Sequence, residues 1–354
     1  MKNLEKYLSL LGQEVDGLLL TSRFSRFYGA EFDIAEGVAL VSKAGCRYFT
    51  DSRYIESAAN GIRGFAVMEM NRENPYSKLI NETLAEFGIQ RLGYEDGYLT
   101  VAELKGYEKE LKAELIPYGR CINSFRSVKE SWELDRMRAA QQITDLAFTQ
   151  VLPRIKAGMT EKQLQAELIY CLYKNGAEGL AFDPIVVSGP NTSLPHGVAG
   201  DRVIREGDFI TMDFGVILNG YCSDMTRTVA VGFATDEMRQ VYETVLAAQA
   251  AGIAATRAGV TGSEIDGAAR KVINDAGYGQ YFGHGYGHSI GMECHEAPNC
   301  NPSGKTPMEV NMVSSAEPGI YLPGKFGVRI EDLVIFTADG CENMTRSPKN
   351  LLIV

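Results

Sequence analysis

One segment of this chain occurs twice. Ala157-Gly158-Met159-Thr160-Glu161-Lys162-Gln163-Leu164 is matched by Ala258-Gly259-Val260-Thr261-Gly262-Ser263-Glu264-Ile265, and the register runs without a gap to Gly176 and Gly277. In each copy a Gly can close one helix. A Thr with Gln or Glu three residues on then forms a capping box that opens the next helix, which a second Gly stops. Two copies of a helix–helix–strand unit predict a pseudo-symmetric domain with its site where the copies meet. Chance likeness of two capped helices would explain the caps but not the shared register.

The repeat occupies only part of 354 residues, a length that calls for two domains. Residues 1–122 read as an α/β domain of their own. A short amphipathic helix opens it, followed by a strand at 17–20 and strands at 38–41 and 46–50 around an Ala44-Gly45 turn. Further on come a strand at 65–70, a helix at 76–87, an extended stretch at 93–95 and a charged helix over 101–114. This domain contains no histidine and no recognisable catalytic cluster. Residues 123–354 form the second domain, opening on a long helical pattern over 131–156.

Composition removes several functions. A net charge of −10 argues against a phosphate-backbone binder. No apolar run approaches the ~18–20 residues of a membrane span. Seven cysteines, an odd number with no C-x-x-C pair, predict reduced thiols and a cytoplasmic location, not a disulfide framework or a thiolate zinc site.

The second domain carries the chemistry. Residues 209–218 run into Asn219-Gly220 and return through 221–229, the strongest short signal for a hairpin. A two-residue loop pairs Leu218 with Tyr221 and, further out, Asp213 with Thr226. Asp224 then shares a face with Thr226, which makes Asp213 and Asp224 diagonal neighbours roughly 7–8 Å apart at the backbone. Two like charges on one face need a cation between them, and the flanking Ile210, Met212, Phe214 and Val216 do not read as a solvated acidic face. Metal binding competes here with two surface aspartates near a turn. Asp213-Phe214-Gly215 also spells the kinase magnesium triplet, but the His-Arg-Asp and Gly-rich loops of a kinase are missing.

All four histidines, His196, His284, His288 and His295, fall in this domain. Three lie within a glycine-dense stretch that disfavours helix and lets the backbone approach a ligand. The H-E-x-x-H zinc helix is absent. Glu317 precedes a Pro-Gly turn, and Glu331 sits in an apolar strand, where a carboxylate needs a partner or a metal.

In order, these segments read D-F-G (213–215), S-D-x-T-R-T (223–228), H-G-x-x-H (284–288), H-E (295–296), E-P-G-x-Y (317–321) and R-x-E-D (329–332). Together they resemble the proline-specific pita-bread metallopeptidases, aminopeptidase P and prolidase, over the whole chain. The resemblance implies a creatinase-like N-terminal α/β domain and a pseudo-symmetric pita-bread catalytic domain. It implies five metal ligands, Asp213, Asp224, His288, Glu317 and Glu331, holding two divalent ions. Four carboxylates balance the charge of two such ions, and an oxygen-rich set with one His suits Mn²⁺ and, less well, Co²⁺, Fe²⁺ or Zn²⁺. It places His196, His284 and His295 with the substrate, Arg329 behind the ligands, and Glu317 as the proton carrier in metal-assisted hydrolysis before proline. It also implies a homodimer.

Segment 49–54 resembles the short bacterial aminopeptidase P proteins, so release of an N-terminal residue from Xaa-Pro peptides is the first expectation and dipeptidase the alternative. The Leu194-Pro195-His196-Gly197 segment and the extra N-terminal domain disfavour a methionine aminopeptidase. Intact ligands disfavour creatinase and a non-catalytic scaffold of the same fold.

Overall fold

The computed structural model describes residues 2–34 and 36–354. The chain divides into two compact units, Met1–Arg126 and Ser127–Val354.

The first unit alternates helices α1 (Lys2–Ser9), α2 (Arg23–Ala30), α3 (Ile55–Gly61), α4 (Tyr76–Phe87), α5 (Val101–Glu110) and α6 (Gly119–Ser127) with strands β1 (Gly17–Leu20), β2 (Val38–Ser42), β3 (Gly45–Asp51), β4 (Ala66–Met70), β5 (Arg91–Tyr94) and β6 (Glu114–Pro117). The strands form one mixed sheet in the order β4-β3-β2-β1-β5-β6. Its apolar residues Leu19, Leu40 and Phe49 pack with Leu79 and Leu84 of α4. The charged helix is shorter than the expected 101–114. α5 opens on a Thr100–Glu103 capping box and ends at Glu110. Residues 114–117 leave the helix to pair in parallel with β5, Arg91 opposite Glu114 and Tyr94 opposite Pro117. Sheet pairing there overrides the helix-forming Ala113 and Glu114.

The second unit opens on α7 (Ser131–Val151), three turns of which bury Met137, Ala140, Thr144, Ala147 and Phe148. A 3₁₀ turn over Leu152–Arg154, with Pro153 inside it, stops the helix before the expected residue 156. Then follow α8 (Glu161–Lys174), β7 (Gly179–Leu180), β8 (Ile185–Ser188), β9 (Phe209–Phe214), β10 (Val216–Leu218), β11 (Tyr221–Cys222) and β12 (Met225–Ala230). The remainder comprises α9 (Asp236–Ala255), α10 (Gly262–Asp275), β13 (Gly287–Ser289), β14 (Glu296–Cys300), β15 (Val313–Ala316), β16 (Gly319–Leu322), β17 (Phe326–Arg329), β18 (Asp332–Phe336) and β19 (Cys341–Asn343).

The duplication extends beyond the matched letters. Thr160 caps α8 through Gln163, and Thr261 caps α10 through Glu264, both as complete capping boxes. Gly158 donates its N–H to Ile204 O, and Gly259 donates to Met308 O. β8 pairs with β9 as Ser188 opposite Ile210, and β13 pairs with β15 as Ser289 opposite Ser314. Each copy has its own apolar core, one under β8, β9 and β12 and one under β15 to β18. Among the described residues no helix is long and apolar enough to cross a membrane.

Candidate metal centre

The hairpin forms in the expected register. Leu218 lies opposite Tyr221 and Asp213 opposite Thr226. Asn219 and Gly220 both take positive φ, 49° and 78°, the conformation of a type I′ turn. In the second copy, Ala316 lies opposite Asp332 and Gly319 opposite Arg329, which puts Glu317 level with Glu331. His288 comes from β13, which only a glycine allows so close to β15: a Cβ on Gly287 would stand 2.1 Å from Ser315 O.

These elements bring four of the expected ligands together. Asp224, His288 and Glu331 each offer a ligand atom within 4.8 Å of the others. His288 Nε2 stands 3.3 Å from Glu317 Oε1 and 3.7 Å from Asp224 Oδ2. The imidazole Nδ1 faces Ser289 O at 3.1 Å, so it carries the proton and leaves Nε2 with a lone pair for a ligand. Asp213 is turned towards Arg329, whose Nη2 donates to Asp213 Oδ2 at 2.5 Å.

The electrostatics call for cations. Burial holds the Asp224 carboxyl well above its ordinary range, and the neighbouring Asp213 and Glu317 push the same way. Glu331 is raised by burial and by Asp224, Glu317 and Asp213. Burial raises Glu317 and lowers His288. Asp213 Oδ1 and Asp224 Oδ1 are buried without a hydrogen-bond partner, a costly state that a ligated ion would relieve. Four carboxylates, one neutral imidazole and two orphaned oxygens fit a pair of divalent cations.

Residues the motif reading passed over hold the acids in place. Thr226 Oγ1 donates to Glu331 Oε2 at 2.7 Å and accepts from Arg329 Nε at 3.0 Å. Arg329 Nη1 donates to Tyr321 OH, which in turn donates to His284 Nε2, both at 2.9 Å. The described side-chain hydrogen bonds of Arg329 run to Thr226, Tyr321, Pro195 and Asp213. Arg227 and Asp332 form a fully buried ion pair at 2.7 Å. Arg227 also donates to the carbonyls of Thr226 and Glu331, tying β12 to the two-residue break between β17 and β18 where Glu331 sits, outside the strand expected for it. Gln249 Nε2 donates to the carbonyls of Ala316 and Ile330, the residues just before Glu317 and Glu331. Arg227, Asp332 and Tyr321 stand inside the quoted motifs, so a signal existed. Gln249, within the long α9, gave none.

The acids open into a cavity of about 1130 Å³ that His196, His284, His295, Phe182, Pro195 and Tyr321 help line. His295 stacks near His288, ring centroids 4.2 Å apart. His196 is exposed at the rim and His284 is half-buried. Burial, then the neighbouring His288, lowers the His295 pKa and keeps its ring neutral.

Two family models match the chain. Metallopeptidase family M24 covers residues 135–338, and the Creatinase/Prolidase N-terminal domain covers residues 2–128. Among solved structures, the chain is similar to an Xaa-Pro dipeptidase from Bacillus anthracis, with a TM-score of 0.96 and 41% identity over 100% of this chain and 99% of that one. It is also similar to an X-Pro aminopeptidase from Thermotoga maritima, with a TM-score of 0.93 and 35% identity over 99% of each chain. It is 38% identical over 264 residues to the Xaa-Pro dipeptidase of Pyrococcus furiosus, a match spanning 74% of this chain and 76% of that protein.

Proposed function

Because the chain belongs to metallopeptidase family M24, we propose that it hydrolyses Xaa-Pro dipeptides as a dinuclear-metal prolidase. The observation that carries the hydrolytic reading is the convergence of Asp224, His288 and Glu331 within 4.8 Å at the floor of the cavity. The dipeptidase reading rests on similarity to Xaa-Pro dipeptidases from Bacillus anthracis and Pyrococcus furiosus. It replaces the first expectation, aminopeptidase P, which becomes the second reading, supported by the likeness to the Thermotoga maritima X-Pro aminopeptidase.

Asp213, Asp224, His288, Glu317 and Glu331 would hold the two ions, with Mn²⁺ as the proposed native metal. Such ions supply Lewis acidity and lower the pKa of a water to near neutrality. Burial raises Glu317 towards the range where it can take a proton at Oε2 and return it to the prolyl nitrogen, while Oε1 stays on Ser315 Oγ at 3.1 Å. His295 and His196, both on the cavity wall, would donate hydrogen bonds to the substrate carbonyl and the charge that develops on it. Gly285 O, which can only accept, puts the proton of His284 on Nδ1 and leaves Nε2 to accept from Tyr321 OH; the ring so oriented would line the prolyl side. Arg329, buried behind Asp213, would act by holding that carboxylate. A prolyl amide has no N–H, so selection falls to the fit of the ring and not to a hydrogen bond from that nitrogen. A homodimer in the cytoplasm completes the proposal.

Mass spectrometry of products separates the readings. With Mn²⁺, cleavage of Xaa-Pro but not Xaa-Pro-Yaa supports prolidase. Release of the first residue from Xaa-Pro-Yaa, with Xaa-Leu-Yaa left intact, supports aminopeptidase P, and no cleavage with any metal overturns both. His295→Ala should lower turnover by about 10²-fold with metal content unchanged; metal loss in that variant would make His295 structural.

A further inference from the structure

His295 ends the connection between β13 and β14, residues 290–295. The next residue, Glu296, opens β14 opposite Ser289 and bonds back into that connection. Its Oε1 accepts from Met292 N at 3.1 Å and from Glu293 N at 3.3 Å. Its Oε2 accepts from Lys129 Nζ at 3.0 Å. The two side chains of this ion pair are 1% and 4% exposed. We propose that Lys129 is a positioning residue: by neutralising Glu296 in the interior it locks residues 290–296 and so sets the place of the His295 imidazole beside the acidic cluster.

Lys129 is well placed for this. It stands just before α7, its N–H donates to Asn311 O at 3.1 Å, and its Nζ also donates to Ser127 O at 3.4 Å. Desolvating two charges is costly, and an apolar pair of similar volume often serves stability as well or better. What the ionised carboxylate adds is a strong acceptor for two backbone N–H groups of the loop. The loop passes tightly over the pair: a Cβ on Gly291 would stand 2.7 Å from Glu296 Oε2 and 3.0 Å from Lys129 Cε. Cys222 N, in β11, donates to Gly291 O at 2.7 Å. The connection is therefore held between β11 and the ion pair, and it delivers the His295 ring 4.2 Å from that of His288.

Removing the ammonium has a definite consequence. Glu296 lines the cavity, so water is within its reach. A buried carboxylate without a counter-charge finds relief by turning towards that water. It then gives up the N–H groups of Met292 and Glu293, and the loop moves with His295. A displacement of about 1 Å at a reacting group can cost roughly 10²-fold in rate. This role for Lys129 rests on His295 acting on the substrate carbonyl, as proposed above.

Two variants of the full chain, loaded with Mn²⁺, test this. Lys129→Met should lower kcat by roughly 10–10²-fold with KM and metal content unchanged, the pattern of a lost transition-state contact. In the double variant Lys129→Met with Glu296→Gln, the neutral amide has no drive towards water and its oxygen still accepts from the two N–H groups. Turnover should then recover to within about threefold of the unaltered chain. Amide hydrogen exchange read by mass spectrometry, with no peptide present, should show 290–296 exchanging faster in Lys129→Met and at the original rate in the double variant. Unchanged kcat and exchange in Lys129→Met, a double variant as impaired as the single one, or loss of metal from Lys129→Met would each overturn the proposal. If the unaltered chain cleaves no peptide, the prolidase reading fails, and the exchange rates still decide whether Lys129 holds the loop.

Discussion

The two copies of the repeat share their caps, their strand register and their helix lengths, yet they differ at the positions that matter. Where the first copy has Val187, at the same offset the second has His288. Where the first copy sets Asp213 opposite Thr226, the second sets Glu317 level with Glu331. At the first residue of each capped helix stand Glu161 and Gly262. Glu161 is fully buried and accepts from Ser188 N and Oγ, Asn191 Nδ2 and Gly200 N, so it ties down both ends of the segment that carries His196. Gly262 lets the backbone of β14 approach instead, since a Cβ there would meet Asn299 O at 2.1 Å. The comparison separates two roles: caps and register build the scaffold twice, and single side chains placed on it make the acidic cluster proposed to hold metal.

Breaking the second copy's acid should have the largest effect. Glu331→Gln removes one negative charge and one ligand from the centre and should cost more metal affinity than the roughly 10–100-fold typical of an outer partner. Thr226→Val, at the facing position in the first copy, keeps every ligand but removes the hydroxyl that donates to Glu331 Oε2 and accepts from Arg329 Nε, and should fall within that range. Metal content and Mn²⁺ titration of activity read both. Equal losses would mean that the two positions are not ligand and support.

Acidity sharpens the same contrast between scaffold and centre. Asp224, Glu331 and Glu317 have folded pKa values raised above their ordinary ones. A group raised on folding contributes stability that is full below its unfolded pKa, about 4 for a carboxyl, and lost as pH rises through the folded value. The chelated chain therefore loses this contribution from about pH 4 upward, while the metal-loaded chain gains as the ligands deprotonate. The gap between melting temperatures with Mn²⁺ and with chelator should widen with pH over that range. A constant gap would mean that these acids do not hold the ions.

Much of this was legible in sequence because it is local. Capping boxes, the Asn219-Gly220 turn and the pairing of Asp213 with Thr226 follow from spacing alone, and all are present. The site's support was harder to read because it is made by contacts distant in sequence. Arg227 meets Asp332, and Gln249 meets Ala316 and Ile330, only after folding. The strand at 114–117 was hidden for the same reason: its partner, β5, lies 23 residues upstream, and the local letters favour helix.

Glu161→Gln tests the first copy's clamp. The amide keeps one acceptor but presents N–H groups to donors that faced a carboxylate, all of them buried or half-buried. A loss of about 2–3 kcal/mol is expected, with looser order around His196 and a higher KM. Unchanged melting would mean that solvent replaces the clamp.

Gly262→Ala is the matched change in the second copy, and its effect should be smaller. The added methyl meets Asn299 O and the Cys300 backbone, and the strand must yield, at about 1–2 kcal/mol. Gly267, one turn further along α10, is exposed, with nothing within 4 Å of a Cβ placed there. Gly267→Ala should therefore stabilise the helix by about 0.5–1 kcal/mol, the ordinary helical preference of Ala over Gly. Two identical substitutions five residues apart thus carry opposite signs. If thermal melts gave both the same sign, the close approach of β14 to α10 would not be what distinguishes the second copy, and Gly262 would be no more than a permissive helix start.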